Sequence, residues 1–80
     1  MNDHIETLRD NLGLSKALAS HLYRMLMAEY VYLPRMEAYR LRRALKGFNT
    51  PVLCTYGVGY HILPEDRDFY IKQFNLRTPR

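Results

Sequence analysis

Residues 34–63 read PRMEAYRLRRALKGFNTPVLCTYGVGYHIL, and this stretch decides the fold. In its first half Pro34, Ala38, Leu41, Leu45 and Phe48 recur at i, i+4, i+7, i+11 and i+14, one apolar stripe along a helix. Arg35, Tyr39, Arg42 and Lys46 recur at i, i+4, i+7 and i+11 on a different face, which Arg40 and Arg43 widen. Pro34 suits the first position of such a helix, where a missing N–H removes no bond. Gly47 is expected to close it in the left-handed conformation common at helix ends, giving a helix over 34–47. Asn49–Thr50–Pro51 then turns the chain. Val52–Tyr56 and Tyr60–Leu63 are β-favouring runs, and Gly57–Val58–Gly59 between them tolerates positive φ, so 52–63 reads as a hairpin.

Working outward, Ser15 can cap a helix whose Leu18, Leu22, Met25, Leu26 and Met27 form a broad apolar face. Its few charges, Lys16, Arg24 and Glu29, make it the expected most buried helix. Ahead of it Ile5, Leu8 and Leu12 fall at helical spacing, Asp3 and Glu6 form a weak capping box, and Gly13 ends the run. Tyr30–Leu33 reads either as a short strand or as the end of the preceding helix. Pro64 opens a fourth helix, with Glu65, Asp66 and Asp68 near its positive end and Phe69, Tyr70 and Phe74 to pack it back. The run 68–76 reads alternatively as a strand. The expectation is one α+β domain over 1–76, with three to four helices and a C-terminal hairpin, and a flexible tail at 77–80.

Composition narrows the class. Apolar residues make up 48% of the chain, with seven Tyr and three Phe, too hydrophobic for disorder. The single cysteine, Cys54, cannot form an internal disulfide, and inside an apolar strand it reads as a small hydrophobe. No apolar run approaches the roughly 18 residues of a membrane helix. Residues 1–10 lack the apolar block of a signal peptide. A cytoplasmic protein with no membrane association is expected. Net charge is +4, and residues 30–62, with five basic side chains against one acidic, hold all of the excess. A localised basic field suits nucleic acid, and equally an acidic protein.

Arg40–Leu41–Arg42–Arg43–Ala44–Leu45, a loop, then Val52–Leu53–Cys54–Thr55–Tyr56–Gly57–Val58–Gly59–Tyr60–His61–Ile62 resembles the end of the OmpR/PhoB-type winged helix-turn-helix effector domain of response regulators. In that family the recognition helix ends R-L-R-x-x-L, and a G-x-G-Y hairpin follows as the wing. Leu14–Ser15 and the apolar helix after them resemble the family's first core helix. The resemblance implies a winged-helix-like fold and a small DNA-binding protein, a transcriptional regulator. It differs from the family in three ways. A helix and a loop are missing before Pro34, there is no receiver domain, and Tyr56 stands where the wing often carries Arg. Such a stripped-down, stand-alone form suggests a phage or mobile-element origin. A second register resembles a generic helix-turn-helix with Gly13 as the turn glycine and Ser15–Leu26 as the recognition helix, although Arg9 then sits where a small residue normally packs.

The resemblance implies that the helix over 34–47 lies in the major groove of double-stranded DNA. Arg35, Tyr39, Arg42 and Lys46 then face the DNA, with Arg40 and Arg43 on the flanks and Tyr56 on the wing. Arg near the helix start suits base edges, and Arg43 and Lys46 suit phosphates. Taken alone, a basic helix face is often only a solvated surface. Gly57 and Gly59 lack the strand–turn–helix setting of a phosphate loop and read as a turn. His4, His21, His61 and Cys54 share no metal-ligand spacing, so no metal is expected. No catalytic set or cofactor motif stands out, so an enzyme is not expected. The alternative is a protein-binding module, a phage-type inhibitor or adaptor acting on a host protein such as RNA polymerase or a nuclease, to which the many Tyr are suited. A homodimer built on the apolar second helix fits either reading.

Overall fold

Helix ends set the frame. The computed structural model describes residues 3–76. The first helix, α1, spans Asp3–Leu12 and stops at Gly13, whose φ is 68°. There the Leu14 amide donates back to the Arg9 carbonyl at 3.1 Å. The Ser15 hydroxyl then accepts from the Leu18 amide at 3.2 Å, capping α2 over Lys16–Met27 as its sequence predicts. The capping role expected of the Asp3 side chain and the tail expected at 77–80 lie outside the described residues.

Ala19, Leu22, Met25 and Leu26 of α2 are buried, and they join one core with Leu8 of α1 and Leu33. A third helix, α3, covers Arg35–Lys46 and contributes Ala38, Leu41 and Leu45 to the same core. Losing one of the fully buried leucines costs about 2–5 kcal/mol in comparable cores. The expected stripe is therefore real at its centre and fails at its ends. Pro34 lies just outside the helix, and Phe48 is 45% exposed beyond it.

The left-handed residue expected at Gly47 is displaced by two. Gly47 is right-handed (φ −66°, ψ −14°), and Asn49 takes φ 57° instead. The Asn49 amide donates to the Lys46 carbonyl at 3.2 Å and the Thr50 amide to Leu45 at 3.3 Å. That is the paired closure in which the left-handed residue follows the last turn, and Asn accepts that conformation with little strain. The chain simply continues turning through Gly47 and Phe48.

The hairpin pairs β1, Leu53–Thr55, with β2, Gly59–His61, in antiparallel register: Leu53 opposite His61, Cys54 opposite Tyr60, Thr55 opposite Gly59. Cys54, read as a small hydrophobe, is exposed in this short strand. The ambiguous run at 30–33 is neither a full strand nor a helix end. Val31 alone joins the sheet: its amide donates to the Tyr60 carbonyl and its carbonyl accepts from the Tyr60 amide, each at 2.9 Å. The last segment is helical, α4 over Pro64–Gln73, and the alternative strand at 68–76 does not form. Asn75, with φ 53°, closes α4 as Asn49 closes α3. Tyr70 of α4 is buried, and its hydroxyl lies 2.7 Å from the Thr50 hydroxyl. The radius of gyration is 11.5 Å, near the ~12 Å expected for a compact domain of this length. The described residues form a small α+β domain of four helices and a two-stranded hairpin. Among the described residues no helix is long and apolar enough to cross a membrane.

Two glycines should respond in opposite directions to alanine. Gly59 has φ 143°, and a Cβ there would stand 3.0 Å from the Val31 carbonyl oxygen. Gly59→Ala is expected to lower unfolding free energy by about 1–3 kcal/mol. Gly47 has helical φ and open space around it, so Gly47→Ala should raise stability by about 0.5–1 kcal/mol. Urea denaturation of both variants checks the pair. Tyr70 supplies a pH test. Burial holds its phenol above the usual value of 10.0, the Thr50 hydrogen bond partly offsets this, and the nearby Asp66 charge adds to it. The unfolded chain then ionises first as pH passes 10, so it binds fewer protons than the fold there and stability falls with rising pH. That contribution is fully present below pH 10 and is lost as pH climbs through the raised value. Tyr70→Phe should be less stable at neutral pH and should lack this share of the alkaline decline, read from stability curves on both sides of pH 10.

Candidate nucleic-acid interface

With Ala38, Leu41 and Leu45 turned inward, helical geometry leaves Arg35, Met36, Tyr39, Arg40, Arg42, Arg43 and Lys46 outside. These cations do not form one uniform row. Arg35 stands alone in the first turn, roughly 16 Å along the axis from Lys46 at 1.5 Å per residue. The three at the other end gather. Tyr39, Arg42, Arg43 and Lys46 form one wall of an open groove of about 800 Å³, and Asn49, Thr50, Pro51 and Val52 form the other.

Each basic residue is engaged differently. Arg42 reaches across the groove, its Nε and Nη2 donating to the Val52 carbonyl at 3.3 and 3.1 Å. A guanidinium has five N–H groups, so three remain for a ligand. Arg43 lies over the Tyr39 ring, its Cζ 6.0 Å from the ring centre, with Nη1 3.5 Å from the phenol oxygen. That contact presents cation and ring as one surface. Arg40 turns toward Glu37, Nη1 to Oε2 at 3.4 Å. Glu37 also takes the imidazole of His21 from α2, Nε2 to Oε1 at 3.3 Å. The Arg24 guanidinium donates to His21 Nδ1. Since Arg24 can only donate, Nδ1 is the acceptor and Nε2 carries the proton that goes to Glu37. Arg40 thus belongs to a chain of polar contacts bridging α2 and α3, and it is partly neutralised.

Of the seven residues singled out from sequence, four come together: Tyr39, Arg42, Arg43 and Lys46. Arg35 and Arg40 do not line the groove, and neither does Tyr56, which is fully exposed at the hairpin tip between β1 and β2. The opposing wall was not foreseen. Asn49–Thr50–Pro51 reads from sequence only as a turn, and nothing in the pattern says that the turn folds back beside α3. The second helix-turn-helix register fares worse. The α2 residues it would present are mostly buried or half-buried, leaving Lys16, Ala17 and Arg24 exposed.

The groove offers side-chain cations and an aromatic ring on one wall, and the Asn49 amide with the apolar Pro51 and Val52 on the other. This combination suits a phosphate backbone, whose oxygens accept charge-assisted bonds from the guanidinium and ammonium groups. Among the described residues no three His, Cys, Asp or Glu side chains gather to hold a metal. No protein-family model, curated protein or solved structure matches the chain.

Arg42 and Arg43 should separate by stability. Arg42→Ala removes the tie from α3 to the start of the hairpin and should cost about 1 kcal/mol. Arg43→Ala touches only the exposed Tyr39 surface and should stay within about 0.5 kcal/mol of wild type. Thermal and urea unfolding of the two variants tests this.

Proposed function

We propose that this chain is a DNA-binding protein of winged-helix type that acts as a transcriptional regulator in the cytoplasm. The observation that carries this reading is the groove of Tyr39, Arg42, Arg43 and Lys46 beside the 49–52 segment, on the helix that leads directly into the hairpin. The exposed start of α3, with Arg35, enters the major groove and meets base edges. Its C-terminal half holds the DNA backbone, with Arg43 and Lys46 on phosphates and Arg42 both bracing the hairpin and lending its remaining N–H groups. The hairpin serves as the wing, with Tyr56 at its tip supplying a neutral hydroxyl for a flanking phosphate. The Val31–Tyr60 bridge supports this assignment, because it adds a third strand position to the hairpin ahead of α3.

A second reading, a protein-binding module directed at a host protein, is favoured by a specific feature. Tyr32, Met36 and Tyr39 are 81%, 61% and 51% exposed. Tyr and Met in that condition are the side chains that anchor protein interfaces.

The two separate in a salt titration. Wild type should bind random duplex DNA with an affinity that falls steeply as salt rises, because each neutralised phosphate releases counterions. Arg43→Ala/Lys46→Ala should reduce the slope of log affinity against log salt by about 2. A folded wild-type protein that fails to bind duplex DNA even at low salt would sink the DNA reading and leave the protein-binding one.

A further inference from the structure

A second face of the molecule has the features of a contact with its own copy. On α4 the outward residues are Glu65, Asp68, Phe69, Lys72 and Gln73, one helical stripe. Phe69, at the centre, is 60% exposed. Beside it runs a groove of about 360 Å³ whose apolar walls are Leu12, Phe48, Phe69 and Phe74. Phe48 is 45% exposed at its edge. The sequence assigned these aromatics to internal packing, yet two of them are open.

The charges along the stripe specify the occupant. The acids Glu65 and Asp68 precede Phe69, and the base Lys72 follows it. When a second α4 crosses this one antiparallel about a two-fold axis through Phe69, Lys72 of each copy falls opposite Glu65 and Asp68 of the other. A parallel crossing would set acid against acid. The stripe is therefore complementary to itself in one orientation, the condition for an isologous two-fold contact. The excess positive charge resides on α3 and not on α4, so self-repulsion does not oppose the approach.

We infer that the α4 face is a homodimer surface, with Phe69 of each copy seated against Phe69 and the adjoining groove of the other. The apolar face of α2 is not the contact, since its side chains lie in the core. The basic and aromatic grooves are linked: Thr50 lines the basic one, Tyr70 lines the aromatic one, and their hydroxyls are 2.7 Å apart. A dimer through α4 therefore fixes the relation of two basic grooves through a short rigid path. The inference does not rest on DNA binding, and its test contains no DNA.

Sedimentation equilibrium of the full 80-residue chain over a wide concentration range is the experiment. Wild type should approach twice the 9.5 kDa chain mass as concentration rises. Phe69→Glu alters an exposed side chain and should stay folded by circular dichroism. It should raise the dimer dissociation constant by about tenfold or more, as loss of a central aromatic anchor does. Lys72→Glu should weaken the dimer as well, and Glu65→Lys/Asp68→Lys/Lys72→Glu should restore it, because the pattern is reversed as a whole. A monomeric wild type at every concentration overturns the inference. A Phe69→Glu protein that dimerises like wild type, or a folded triple variant that fails to recover, overturns it too.

Discussion

The pair of backbone hydrogen bonds between Val31 and Tyr60 is the constraint on which the arrangement of this molecule depends. A two-stranded hairpin alone is marginal in water. Here its inner strand, β2, is fastened to the segment joining α2 to α3, so the hairpin is set relative to both helices at once. Closeness is the condition. Val31 approaches Gly59 so nearly that no side chain fits between them, and the φ of 143° at Gly59 is one that other residues rarely adopt. Two side-chain ties complete the arrangement. Arg42 fastens α3 to the Val52 carbonyl, and Thr50 fastens the connecting turn to Tyr70 of α4. The stretch from 47 to 63 carries little core of its own, yet it is held at three separate points.

Much of this frame was legible from the chain, and the exceptions share a cause. The periodicity of Ala38, Leu41 and Leu45 and the cap at Ser15 located the helices, because burial on one face and one unsatisfied turn of amides are local demands. The turn glycines located the hairpin for the same reason. Helix closure was harder to read. Gly13 closes α1, but Asn49 and Asn75 close α3 and α4, and Gly47 stands only two residues ahead of Asn49. Intrinsic preference points to glycine, whereas the chain turns on through Gly47 and Phe48 and closes at Asn49, where the Thr50 amide meets the Leu45 carbonyl. The exposure of Cys54 and Phe48 likewise depends on which elements lie over them, which no local pattern records.

The candidate site divides along the same line. Helical spacing put Tyr39, Arg42 and Lys46 on one face, with Arg43 on its flank, but it put Arg35 and Arg40 there as well. The destination of each guanidinium was not legible, since a helical wheel gives the direction of a Cβ and not the reach of a long side chain. Arg42 bends to a carbonyl ten residues on in sequence, and Arg40 turns to Glu37. The opposite wall, from Asn49 to Val52, exists only because the turn folds back.

These local pairings decide where the positive charge of α3 acts. Glu37 is the single acid in the helix, and it sits in the first turn with His21 and Arg40 around it. It lowers the field of the N-terminal half, where the helix dipole is already positive. At the C-terminal half the dipole is negative, and Arg43 and Lys46 meet no carboxylate among the ion pairs formed by the described residues. Their positive charge offsets the dipole and leaves a net positive groove. The basic field is therefore concentrated beside the turn and the hairpin, and not spread along the helix. A phosphate chain attracted to it would lie across the end of α3, between helix and hairpin, and this would leave Arg35, Met36 and the upper face of Tyr39 free to meet whatever lies beyond the backbone.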